Sequence, residues 1–331
     1  MLVVRGVSIL LSALAAMPAT ALAGALPLHP QYVIVSFDGA HDVAQWKRSR
    51  ALAERTGARF TYFLSCVFLV TKADRAAYVA PGQGTGKSNV GFAHDRSEVA
   101  ARLTEIWTAR QEGHEMASHG CGHFDGSAWT VASWRSEFDA FSTIIGDAWS
   151  RYGDGPAPDG WRTFVSEEIT GFRAPYLATG AGLFRALAER GFAYDASGVS
   201  SGPATAELVD GVERFALPQI PEGPNRRGVI AMDYNLFVRH SAGIERTDED
   251  GAFERRTYDA FTAAFREQYE GERIPLQLGF HFTLMNGGAY WRALERFAGE
   301  TCGKPQVVCT SYADYLRRTT SHDPKAADVG G

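Results

Sequence analysis

Positive charge is in slight deficit, since 33 Lys and Arg stand against 38 Asp and Glu for a formal charge of -5. A nucleic-acid binder normally carries a basic patch or stripe, so no nucleic-acid partner is expected. The chain also lacks internal repeats, low-complexity runs and any linker able to divide it, which leaves one large domain as a natural organisation. Missing too is an apolar stretch of the roughly 18 residues that a membrane-spanning helix needs. The N-terminal apolar stretch, Val7 to Met17, is shorter. It follows the basic Arg5 and leads into Ala21-Leu22-Ala23, the layout of a cleavable secretory signal. No twin-arginine pair precedes it and no cysteine sits at the cleavage point to carry a lipid. The expectation is a signal peptide over 1–23, a domain over 24–318 and a flexible tail over 319–331. The mature protein is then exported, periplasmic or extracellular, and free of the membrane after cleavage.

Cysteine is scarce, with four residues. In an exported chain these can form two disulfides, although the count alone leaves the pairing open. Cys302 and Cys309 lie close together in a segment with Gly and Pro, where a small loop can be stapled, which would leave Cys66 with Cys121.

What is present is a large apolar fraction, 45%, with 12% aromatics, enough to bury a sizeable core. Gln31 to Phe37 has the composition of a buried strand and runs into Asp38-Gly39, a turn signal. Asp42 to Thr56 has helical content and stops at Gly57, and Arg59 to Val70 is again β-branched and aromatic. Glu98 to Glu112 carries Val99, Leu103, Ile106 and Trp107 along one helical side and precedes a short strand, His114 to Ala117. Helices are predicted over 138–152, 182–190, 257–269, 290–297 and 311–317. Strand signals are predicted at 171–175, 192–194, 229–233 and 275–282, with loops at 80–92 and 200–228. Such alternation favours a parallel sheet wrapped by helices, with chemistry at the strand C-terminal ends.

His119-Gly-Cys-Gly-His123 is the sharpest local signal, because two imidazoles four residues apart can converge on one cation and the glycines let the loop bend. Alone it supplies only two ligands. Asp38 and His281 end other predicted strands and add two further candidate ligands or proton carriers.

Taken in order, Ser36-Phe37-Asp38-Gly39-Ala40, the His119 to His123 segment, Gly171-Phe172-Arg173-Ala174-Pro175-Tyr176 and Leu278-Gly279-Phe280-His281 resemble the motifs of polysaccharide deacetylases of the NodB-homology type, carbohydrate esterase family four. The later part looks closest to the chitin deacetylase branch. The resemblance implies an α/β fold, an irregular (β/α) barrel, and one divalent ion, zinc or similar. It also implies hydrolysis of N-acetyl groups on an amino-sugar polymer or oligomer, so an N-acetylated glycan is the expected partner. Its site would comprise Asp38, Arg173 and His281 as catalytic residues, Asp38, His119 and His123 as metal ligands, and Pro175 and Tyr176 at the substrate. A cation that lowers the pKa of water to about 7 and polarises the carbonyl answers both obstacles to amide hydrolysis. A carboxylate then takes the water's proton, and His281 gives one to the leaving amine. Arg173 matches the arginine that orients the base, and Asp233 is a candidate to orient His281. The implied fold would also place the ends of the second and third strands side by side, bringing Cys66 to Cys121.

One departure matters. The family's first motif has two adjacent aspartates, a base and then a metal ligand, where this chain has Asp38-Gly39. Without a gap Asp38 is the base and the third ligand is lost. With a one-residue deletion Asp38 is the ligand and the base is lost. Asp42 or His41 would be stand-ins, but Asp42 suits a helix N-cap better. The alternative to an active deacetylase is therefore a catalytically impaired, glycan-binding member of the same fold. Gly82 to Ser88 lacks the first glycine of a phosphate-binding loop. His114 suits a packed histidine. Trp107, Trp129, Trp134, Trp161 and Trp291 are candidates for stacking on sugars, Trp107 being the one best placed for the core.

Overall fold

The structure, a computed structural model, describes residues 29–320. The expected signal over 1–23 and the tail beyond residue 320 lie outside the described residues.

Strand β1 (Gln31–Asp38) is buried along its whole length. It pairs in parallel with β2 (Thr61–Leu64), β9 (Leu276–His281) and β10 (Val307–Thr310). Its alternate residues serve two cores. Val33, Val35 and Phe37 pack in the large cluster beneath the helices, whereas Ile34 joins Phe63, Ala117, Tyr194, Phe215 and Tyr312. A strand covered on both faces is apolar throughout instead of alternating, which is why the run Tyr-Val-Ile-Val stands out in the sequence.

The sheet continues through β3 (Glu115–Ser118), β4 (Gly171–Phe172), β5 (Tyr194–Ser200) and β7 (Val212–Glu222), all in parallel. Two strands add antiparallel to β7, namely β6 (Glu207–Val209) and β8 (Arg227–Ile230). Between β7 and β9 the ring is bridged by residues 231 and 232. Ala231 N–H donates to Pro218 O at 2.9 Å, and Gly279 N–H donates to Ala231 O at 2.9 Å. The result is an irregular (β/α) barrel, as the resemblance implied.

The helices are α1 (Val43–Thr56), α2 (Arg96–Gln111), α3 (Val131–Tyr152), the short α4 (Trp161–Thr163), α5 (Ala181–Arg190), α6 (Asp233–Ser241), α7 (Ala252–Glu270), α8 (Ala289–Thr301) and α9 (Tyr312–Thr320). Their ends follow capping chemistry. Asp42 accepts from Gln45 N–H at 2.9 Å to begin α1, and Gly57, at φ 68°, ends it. Among the described residues no helix is long and apolar enough to cross a membrane.

Beyond shifts in element boundaries, as for β4, β5 and α3, four stretches depart from the sequence-based expectation. The strand expected over 59–70 stops at Leu64, since Cys66 is tied by a disulfide to Cys121 and the chain turns into a 3-10 helix. The loop expected over 200–228 contains β6 and β7, whose prolines and polar residues hide the strand pattern. Asp233, expected at a strand end, is the first residue of α6. Thr319 and Thr320, expected in the tail, belong to α9. Both disulfides pair as the spacing suggested, Cys66 with Cys121 and Cys302 with Cys309.

Candidate active site

Four parallel strands deliver the candidate residues to one end of the barrel. Asp38 closes β1 and stands in register with His281, which closes β9. His119 follows β3, and Arg173 follows β4. Asp38, His119, His123, Tyr176 and His281 line one pocket of about 440 Å³, together with Val90, Ala174, Leu177, Ile230, Met232, Tyr234 and Asn235.

Arg173 is fully buried and spends its guanidinium on fixed partners. One terminal nitrogen donates to Asp38 Oδ1 and to Ser36 Oγ, both at 2.8 Å, while the other donates to Tyr312 OH at 2.9 Å. Nε donates to Ala196 O at 3.0 Å, and the guanidinium lies over the Phe63 ring, 4.3 Å from its centroid. Burial pushes the Asp38 carboxyl up, but Arg173, with the nearby His119 and His281, outweighs it and holds the group below the usual carboxylate range. Asp38 is thus an ionised carboxylate kept in place by a charge-assisted bond.

The other histidines divide into two environments. His119 Nδ1 donates to Arg173 O at 2.8 Å, which leaves Nε2 as its remaining ring nitrogen. His123 has φ 56°, in the left-handed region, and its buried Nδ1 has no hydrogen-bond partner. The rings lie 5.0 Å apart between centroids. Burial lowers both, His123 to about 3, so both are neutral imidazoles at physiological pH. His281 is set up differently. Its Nδ1 donates to Asp233 Oδ1 at 2.7 Å, and its backbone N–H donates to Asp233 Oδ2 at 2.8 Å. Burial pulls His281 down, but Asp233 and then Asp38 outweigh it and raise the ring above the usual imidazole range.

The fit to a divalent cation is incomplete. Two neutral imidazoles with an unpartnered buried nitrogen suit one, since ligands must be deprotonated. Yet among the described residues no group of three or more His, Cys, Asp or Glu is placed to hold a metal. Asp38 is engaged by Arg173, and Gly39, at φ 61°, brings no side chain. Neither suggested stand-in fills the gap. Asp42 caps α1, and His41 has Nδ1 on Gly39 O at 2.7 Å and stacks on Phe68. Cys121 is consumed by its disulfide. The described residues therefore offer two candidate imidazole donors, His119 and His123, and no third protein ligand beside them.

Tyr176 and Leu177, at φ 58° and 55°, turn back at the pocket edge, and Tyr176 is 60% exposed with its ring 4.5 Å from that of His123. Pro175 is buried and is not among the lining residues. None of the tryptophans lines the pocket; Trp134, Trp161 and Trp291 are core residues. Trp291 supports the site from behind, its indole N–H donating to His281 O at 3.0 Å. Six lining residues carried no sequence signal, namely Val90, Leu177, Ile230, Met232, Tyr234 and Asn235. Of these, Val90 sits in the segment 80–92 expected as a loop.

No protein-family model matches the chain, and no curated protein matches it in sequence. Solved structures do match. A structure assigned as a polysaccharide deacetylase from Mycobacterium smegmatis is 16% identical, with 90% of this chain and 93% of that chain covered and a TM-score of 0.54. A Puue allantoinase is 18% identical, with 91% and 96% covered and a TM-score of 0.53. A second structure assigned as a polysaccharide deacetylase, from Pseudomonas aeruginosa PAO1, is 15% identical, with 88% and 92% covered and a TM-score of 0.52. The chain therefore has the fold shared by these polysaccharide deacetylases and this allantoinase.

Proposed function

We propose that this protein is a hydrolase that removes N-acetyl groups from an amino-sugar polymer or oligomer, chitin-like or from a cell wall, and releases acetate. The observation that carries this reading is the convergence of an ionised carboxylate, a carboxylate-backed histidine and a pair of neutral histidines on one pocket in a polysaccharide deacetylase fold. His119 and His123 would hold a divalent ion, zinc or similar. Such an ion polarises an amide carbonyl and lowers the pKa of water.

The chain's own groups divide the proton work. Asp38 takes the proton of the attacking water, with Arg173 keeping the carboxylate charged and aimed. His281 delivers a proton to the leaving nitrogen, because expelling an amide anion is prohibitive. Asp233 holds that ring in the tautomer whose Nε2 faces the pocket and favours its charged form. The backbone N–H at Tyr176 is the proposed donor to the developing oxyanion. The two disulfides support export to an oxidising compartment.

Acetate release from chitin oligomers, peptidoglycan and acetylated exopolysaccharide tests the reading, with allantoin in the panel because an allantoinase shares the fold. Asp38→Asn separates the two roles of that residue. Retained metal with lost acetate release supports the base, and lost metal supports the ligand. The incomplete ligand group favours a second reading, a catalytically impaired glycan binder. Glycan binding with no acetate released from any substrate would select it.

A further inference from the structure

Between His119 and His123 the chain makes a tight loop with three interior amides, of which Gly120 N–H donates to Ser118 Oγ at 3.2 Å and the other two donate to side chains from elsewhere. Cys121 N–H donates to Glu137 Oε1 at 2.7 Å. Gly122 N–H donates to Tyr78 OH at 3.0 Å, and Tyr78 OH in turn donates to the Glu137 carboxylate at 2.9 to 3.0 Å. Glu137 comes from α3 and is 3% exposed, and Tyr78 is fully buried. Among the described residues Glu137 is held by hydrogen-bond donors and forms no salt bridge. A carboxylate buried on such terms is costly unless something requires it.

The loop's glycines carry the imprint of the same two side chains. A Cβ on Gly120 would lie 3.2 Å from Glu137 Oε1, and one on Gly122 would lie 2.7 Å from Tyr78 OH and 2.6 Å from Phe124 Cε2. Tyr78 and Phe124 together leave no room for a side chain at Gly122. The loop's start is fixed independently, by His119 N–H donating to Leu64 O at 2.8 Å and Cys66 N–H to Gly120 O at 3.1 Å. Its end is His123, in a left-handed conformation that a residue with a side chain adopts only under constraint.

We infer that Glu137 and Tyr78 are positioning residues that set the backbone of the His119–His123 loop and so aim the His123 imidazole into the pocket. The inference rests on the proposed role of His123 as a ligand. It adds a carboxylate and a phenol that touch no substrate but determine where that ligand sits, as partners one step behind a ligand commonly do.

Glu137→Gln and Tyr78→Phe in the full chain test it, each read by four measurements: unfolding midpoint, zinc affinity by chelator competition, kcat and KM for acetate release, and histidine imidazole resonances. Both variants should move the His123 resonances while leaving those of His281 in place. Both should lower zinc affinity and kcat by about 10-fold to 100-fold with KM little changed. The double variant should be no worse than the more severe single one, since the two groups act through one network. Unchanged His123 resonances and unchanged zinc affinity in both variants would overturn the inference. If Glu137→Gln does not fold, Tyr78→Phe, which removes one hydroxyl from a packed ring, decides. A wild type that releases no acetate would sink the deacetylase reading alone, because the His123 resonances still report the loop.

Discussion

Two sides of one pocket hold histidines in opposite states. On one side His281 has a carboxylate partner in Asp233, faces Asp38, and is raised toward its charged form. On the other, His119 and His123 are buried, His123 has an unpartnered nitrogen, and both are lowered toward the neutral form. The residue type is the same, and the surroundings decide whether it carries a proton or offers a lone pair. Arg173 belongs to both sides, since its side chain holds Asp38 and its carbonyl orients His119.

The comparison breaks most completely at that shared residue. Arg173→Ala leaves Asp38 as a buried, unpaired charge and should cost about 3–5 kcal/mol in urea unfolding. Asp38 also links stability to pH. Its folded pKa lies below its unfolded one, so its contribution is complete above the ordinary carboxylate range and is lost as pH falls through the folded value. The variant should lose that acid-side dependence. The next test separates the sides. His281→Ala should lower acetate release by about 10²-fold to 10⁴-fold with zinc affinity unchanged, whereas His119→Ala should abolish zinc binding, as read by metal analysis. A subtler change moves one side toward the other. Asp233→Asn removes the charge that raises His281, so the alkaline limb of the pH–rate profile should shift to lower pH. The smallest effect is a control beyond both sides. Asp42→Ala removes a helix cap and should cost about 1 kcal/mol of stability while leaving zinc affinity and pH profile intact.

Much of the site was legible because its polar residues interrupt buried strands or follow them. Asp38 after an apolar run, His281 after another, and the paired histidines at a glycine-rich turn all stand out against that background. Helix ends were legible for a similar reason, as at Asp42 and Gly57, where capping is local chemistry. The pocket walls were not. Ile230, Met232 and Leu177 are indistinguishable in sequence from core residues, because facing a cleft and facing a core call for the same side chains. Strand β7 was hidden by Pro218 and Pro221 and by partners that differ along its length. Asp233 looked like a strand end, since the chain passes from β8 through a two-residue bridge into α6 with no turn signal between them.

By itself the sequence determined most strands and helices outside 200–241, the main polar groups of the site and the missing second carboxylate at Gly39, because periodicity, capping and residue type are local properties. Only the tertiary structure decided which groups meet. It paired Asp38 with Arg173 across 135 residues and His281 with Asp233 across 48, and it brought Glu137 and Tyr78 beneath the histidine loop. Charge state follows from those meetings, since burial and neighbouring charge act through space and not along the chain.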